Sequence, residues 1–183
     1  DSLTIGGANT ASALTSTQSA FVNSAKFSKQ QFIYRATELA ALGLNSKGFI
    51  KGLAFEINSA GASTYNNNYT IRMKSVANTT FANTDFEEDG FTTVYKANTH
   101  THSNGGWQNI MFMNQFYYDG LSNIIVEITQ EGLGAGSNAP TLYTAVTGTL
   151  NQVALNGTSN TDADITSGSL NNNRFNTLFL LET

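Results

Sequence analysis

Between Phe91 and Gln130 the chain reads FTTVYKANTHTHSNGGWQNIMFMNQFYYDGLSNIIVEITQ, three apolar runs of strand length cut by two clusters of turn formers. The runs are Phe91 to Tyr95, Trp107 to Met113 and Asn123 to Ile128. The breaks are His102-Ser103-Asn104-Gly105-Gly106 and Asp119-Gly120. Short aromatic and β-branched runs between Gly, Asn and Asp form strands rather than helices. In the last run Ile124, Val126 and Ile128 alternate with Ile125, Glu127 and Thr129, the period of two that buries one strand face. The stretch predicts an antiparallel meander of three strands with Ile124, Val126 and Ile128 toward a core.

The same grammar runs along the rest of the chain. Leu3-Thr4-Ile5 reads as a short edge strand, and the Ser/Thr/Ala-rich stretch behind it keeps no period. An extended N-terminal arm is therefore expected over about residues 1 to 30, laid as a loop over the fold or paired with a neighbouring subunit. Gln31 to Arg35 is strand-like; Thr37 is expected to cap a helix of at most two turns, with Glu38 in its first turn and Gly43 just past its end. Gly48 to Asn58 reads as a long strand with Phe49, Leu53, Phe55 and Ile57 on one face. Tyr69, Ile71 and Met73 alternate with Thr70, Arg72 and Lys74 in the next strand, and the residues between, 59–68, read as a hairpin connection. Leu142 to Val146, Gln152 to Leu155 and Phe175 to Leu181 complete the strand-like segments.

Strands at this spacing, one short helix and no linker or composition break predict an all-β fold. The expected form is one domain over residues 1–183, an antiparallel β-sandwich of jelly-roll type. Its expected core holds Phe55, Ile57, Ile71, Ile110, Phe112, Ile124, Val126 and Ile128.

Composition narrows the function classes. Charged residues are 12% of the chain, against roughly 25% in an ordinary soluble domain. With a net charge of -4 and a sequence pI near 5.0, the basic patch a nucleic-acid binder needs is missing. The absence of cysteine excludes disulfides, thiolate metal sites and cysteine nucleophiles. A neutral surface rich in hydroxyls and amides points to an extracellular location, and no apolar run approaches the roughly 18 residues of a membrane span.

Few residues suggest chemistry. Gly134-Ala135-Gly136-Ser137-Asn138 has the wrong order for a nucleophile elbow, and Gly132 to Gly136 lacks the lysine of a phosphate loop. His100-Thr101-His102 would put two imidazoles on one strand face, but a third metal ligand is missing, so exposed loop histidines are expected. The acidic residues Asp85, Glu87, Glu88 and Asp89, and the pair Asp162 and Asp164, are expected as solvated loops, with calcium as the one cofactor they could hold. Trp107, Tyr117 and Tyr118 either fill the core or form a platform on which a sugar ring stacks. No nucleophile, base and orienter come together, so the chain is expected not to be an enzyme.

The order of motifs carries a resemblance. Leu3-Thr4-Ile5-Gly6-Gly7, Gln31 to Leu39 (QFIYRATEL), Gly48 to Phe55 (GFIKGLAF), Tyr69 to Lys74 (YTIRMK), Gly106 to Ile110 (GWQNI) and Phe116 to Ile124 (FYYDGLSNI) follow one another as in a module of secreted Bacteroidetes surface proteins, which the chain resembles over its whole length. The resemblance implies a non-catalytic β-sandwich exported by type IX secretion, often beside a C-terminal sorting domain. No such domain follows here, so the expectation is a piece of a larger protein or a repeating subunit. Arg174-Phe175 stands where the family commonly has Arg-Pro. The function expected is a structural or adhesive surface module that associates with copies of itself or neighbouring modules, using Leu3, Thr4 and Ile5 as an exchanged strand. The alternative is a carbohydrate-binding module using Trp107, Tyr117 and Tyr118.

Overall fold

The computed structural model describes residues 1–6, 13–14, 18–146 and 152–182. In chain order the strands begin with Ser2–Ile5 (β1), Ala13–Leu14 (β2), Phe27–Tyr34 (β3), Gly48–Ile57 (β4), Tyr65–Val76 (β5), Thr92–Thr101 (β6) and Gly106–Tyr118 (β7). Asn123–Glu131 (β8), Thr141–Ala145 (β9), Ala154–Ser159 (β10), Ser169–Asn171 (β11), Asn173–Phe175 (β12) and Thr177–Leu181 (β13) follow. The helix Ala36–Ala41 (α1) joins β3 to β4. It starts two residues earlier than expected, with Arg35 rather than Thr37 as its cap, because the Glu38 carboxylate reaches back to accept the Arg35 backbone N–H at 2.9 Å. Gly43, with φ +103°, ends it as expected.

The pairings define the jelly roll. Leu53 of β4 lies opposite Phe179 of β13 on one side and Ile110 of β7 on the other, and β1 pairs with β13, which gives a first sheet of β1-β13-β4-β7. Strands β9, β12 and β2 extend it at one end. The second sheet runs β11-β10-β3-β8-β5-β6, and every ladder is antiparallel. Among β1, β3, β4, β5, β6, β7, β8 and β13, only β5 and β6 are consecutive within one sheet; every other step between them crosses to the opposite sheet, the double Greek key of a jelly roll.

That topology corrects two expectations. The segment Phe91 to Gln130 does form three strands and turns at the predicted places, but β6 and β8 belong to one sheet and β7 to the other, so they are not a meander. Likewise β4 and β5 are not a hairpin: they pair in different sheets, and Asn66, Asn67 and Asn68 belong to β5 rather than to a loop. Turn residues mark where the chain reverses and carry no information about which strand it meets next.

Between the sheets, Phe32, Tyr34, Leu53, Phe55, Ile71, Ile110, Ile124, Val126, Phe175 and Phe179 form the main core. Phe112, expected among them, is only partly buried. The cause is a register shift opposite Ile50 and Gly52, where β7 advances from Phe116 to Met111 while β4 advances two residues. The same shift turns Ile50 inward and leaves Phe49 outside, against the alternation expected for β4.

Much of the predicted arm, residues 7–12 and 15–17, lies outside the described residues. Residues 18–25 do not lie over the surface as expected; Ser19 to Asn23 are wholly buried at one end of the sandwich. Irregular buried backbone needs partners for its polar groups, and here side chains supply them. The N–H groups of Ser19, Ala20, Val22 and Asn23 donate to Gln30, Thr141, Gln130 and Asn138. The carbonyl of Ala20 accepts from the Tyr69 hydroxyl and Gln130, and that of Val22 from Asn66. A Cβ on Gly132 would lie 2.1 Å from the Val22 carbonyl oxygen, so only glycine lets the segment close here.

Candidate functional site

The two outer faces of the sandwich are finished differently. Outside β3, β8 and β10, residues Phe81, Phe86 and Ile165 pack on Ile33, Ile125 and Leu155 as a second small core. The two covering segments are tied together by Phe86 N–H to the Thr166 carbonyl at 3.0 Å and Gly168 N–H to the Thr84 carbonyl at 2.9 Å. Outside β4 and β7 no such cover exists among the described residues. Of the nine exposed large hydrophobic side chains among the described residues, five, Phe49, Trp107, Met111, Met113 and Tyr117, stand on these two strands. Gly52 leaves a low floor, over which Met111 and Leu180 approach each other. Strand β7 has no charged residue in its 13 positions and pairs only with β4.

The predicted aromatic platform is thus divided. Trp107 is 39% and Tyr117 52% exposed, so neither fills the core, and Tyr117 meets Phe49 edge-on at a centroid distance of 5.6 Å. Tyr118 points the other way and is completely buried, because neighbours on a strand face opposite sides. Trp107 and Tyr117 lie opposite Glu56 and Phe49, seven positions apart on β4 and so roughly 23 Å along the sheet, too far for one sugar ring to touch both. Leu3 and Ile5 are buried and Thr4 is exposed on β1, which pairs with β13 of its own chain from Ser2 opposite Leu180 to Ile5 opposite Thr177.

The histidines are not exposed loop residues. Strand β6 runs through Thr101, and His100 and His102 both turn inward, where Phe21 from the buried segment stacks on them at centroid distances of 5.6 and 4.0 Å. The Tyr95 hydroxyl bonds His100 Nδ1 at 2.8 Å, and His102 Nε2 is buried without a hydrogen-bond partner. Burial pushes the His100 imidazole down to about 4, and the charge His102 would carry adds to the shift. His102 is lowered as well, by burial against the opposing pull of the Ser103 carbonyl.

The acidic segment is exposed at Asp85, Glu88 and Asp89, as expected, and is also tied down by ion pairs. Glu87 pairs with Lys74 at 2.8 Å and Glu88 with Lys29 at 2.9 Å, while Phe86 between them is buried. Asp164 N–H donates to Asp162 Oδ1 in its own exposed turn. No group of three His, Asp or Glu placed to hold a metal ion occurs among the described residues, and no helix is long and apolar enough to cross a membrane.

One concave site escaped sequence reasoning. At the uncovered end of the second sheet, Phe27, Thr70, Lys96, Thr129, Glu131 and Asn68 line a groove of about 270 Å³. They come from β3, β5, β6 and β8, and no motif connects them. Asn68 is the only non-glycine residue with positive φ, 45°, among the described residues, and an asparagine-rich strand start was its one visible signal.

No protein-family model matches the chain, and no curated protein or solved structure is similar to it at a significant level.

Proposed function

We propose that this chain is a non-catalytic, extracellular structural or adhesive module that self-associates, of the kind that builds a filament or surface array. The observation that carries the reading is the uncovered face of β4 and β7, with Phe49, Trp107, Met111, Met113 and Tyr117 exposed while the opposite face has its own cover. Contiguous exposed apolar surface marks an interaction site, and edge strands that stay monomeric are normally blocked with charges. Strand β7 has none, although its irregular stretch opposite Ile50 and Gly52 and the Asn114 bond to the Thr93 carbonyl restrain its middle. A net charge of -4 gives little mutual repulsion. The similarity in motif order to secreted Bacteroidetes surface modules belongs to the same proposal. Sedimentation velocity across a hundredfold concentration range tests it: the protein grows in size with concentration, and a variant with Met111→Lys and Met113→Lys does not. A monomer throughout, with no particles in electron micrographs, would remove the reading.

A second reading is favoured by the exposure of Trp107 and Tyr117. Partly exposed aromatic side chains on the outer face of a β-sandwich suit contact with pyranose C–H groups, so the module would bind glycans.

A further inference from the structure

We propose that the groove between β3, β8, β5 and β6 is the place where a glycan is held, taking one neutral, hydroxyl-rich ring; the assignment rests on the glycan reading and moves its centre away from Trp107. The cover on this face stops short. Phe81, Phe86 and Ile165 lie over Ile33 and Ile125, and beyond them Thr70 and Thr129 form an open floor with Phe27 as its apolar wall.

The charges on this face separate into two groups. Under the cover every one is matched: Arg72 donates to Glu127 at 2.6 and 2.9 Å, Lys74 meets Glu87 and Lys29 meets Glu88. In the groove Lys96 and Glu131 make no ion pair or side-chain hydrogen bond with any described residue. The strand beside them is also irregular. Between Asn67 and Thr70 the pairing of β5 with β8 is interrupted, and Asn68 takes up its left-handed conformation there. Such interruptions re-aim side chains, and sparsely populated backbone conformations gather at ligand sites.

The lining selects the ligand. A carboxylate accepts, an ammonium donates and the threonine hydroxyls do both, while the wall of Phe27 is apolar. An anion would meet Glu131 and a cation would meet Lys96, so a neutral ring with hydroxyls on its rim and C–H groups on its face suits both. A volume of about 270 Å³ equals roughly nine water molecules, the scale of a single hexose.

Affinity electrophoresis in gels containing soluble xylan, mannan, laminarin or glycol chitin tests the assignment, with Thr129→Val, Glu131→Gln and Trp107→Ala variants whose unfolding midpoints match the parent protein. At least one polymer is expected to retard the protein. Thr129→Val and Glu131→Gln should weaken that retardation at least fivefold, and by more than Trp107→Ala does. Retardation that survives both groove variants sinks the groove while the glycan reading stands. The absence of retardation in every gel sinks both.

Discussion

His100 and His102 are the residues whose protonation should matter most to this protein. The groups facing them are Phe21, Tyr69, Tyr95 and each other, and no carboxylate of the described residues pairs with either. The unfolded chain takes up protons near the ordinary histidine value of about 6.5, whereas burial holds folded His100 near 4. Above about pH 6.5 both states are neutral here and the pair has no pH effect. Between about 6.5 and 4 the unfolded state binds more protons, so stability is lost as the pH is lowered; below that the folded protein titrates too and the slope flattens. Urea midpoints measured from pH 8 to 4 should therefore fall more steeply for the parent protein than for a His100→Gln, His102→Gln variant. Parallel curves would show that the pair is not buried neutral. The shared face of the two rings was readable from their spacing in sequence; their burial was not, because Phe21, which covers them, lies some eighty positions away in a stretch with no period.

At the level of elements, β8 shows how far alternation can be trusted. Ile124, Val126 and Ile128 face the main core as the pattern requires, but Ile125 and Glu127 are buried too, on the opposite face. Glu127 tolerates this because Arg72 and Gln31 satisfy its carboxylate. Consequently Ile125→Ala should cost about as much as Ile128→Ala, 2–5 kcal/mol on the scale of large-to-small core changes, measured by chemical denaturation. If Ile125→Ala costs less than about 1 kcal/mol, as for an exposed position, the second small core contributes nothing. Strand positions for β4 and β8 were legible because their apolar periods are long, whereas β3 was read only from Gln31 and β5 only from Tyr69, their first halves being polar. The bend in β7 and the inversion of Phe49 and Ile50 were not, since a register shift depends on the partner strand and leaves no mark in either strand alone.

For the whole molecule, the sandwich and its jelly-roll type were legible from strand spacing and the scarcity of helix, whereas the sheet assignment, the buried segment 18–25 and the groove arise from contacts between distant segments. The jelly-roll closure also places the first strand beside the last. Strand β1 buries Leu3 and Ile5 against β13, and once β2 is released from β9 the twelve residues from Gly7 to Gln18 can span roughly 40 Å when extended. The same ladder can thus form between two copies, with β1 of one laid on β13 of the next. Such an exchange keeps the burial of Leu3 and Ile5 against β13 but gives up the pairing of β2 with β9; passed from copy to copy it gives chains of subunits, and made reciprocally it gives a closed dimer. The absence of native cysteine allows a clean test: Ser2→Cys and Leu180→Cys together place two thiols at paired positions of β1 and β13, within the Cα separation a disulfide accepts. Oxidised at low concentration, the double variant should run as a cross-linked monomer on a non-reducing gel. Oxidised after assembly at high concentration, it should give a ladder of covalent multimers that collapses on reduction. A monomer band alone under both conditions would confine β1 to its own chain and leave the face of β4 and β7 as the sole route to self-association.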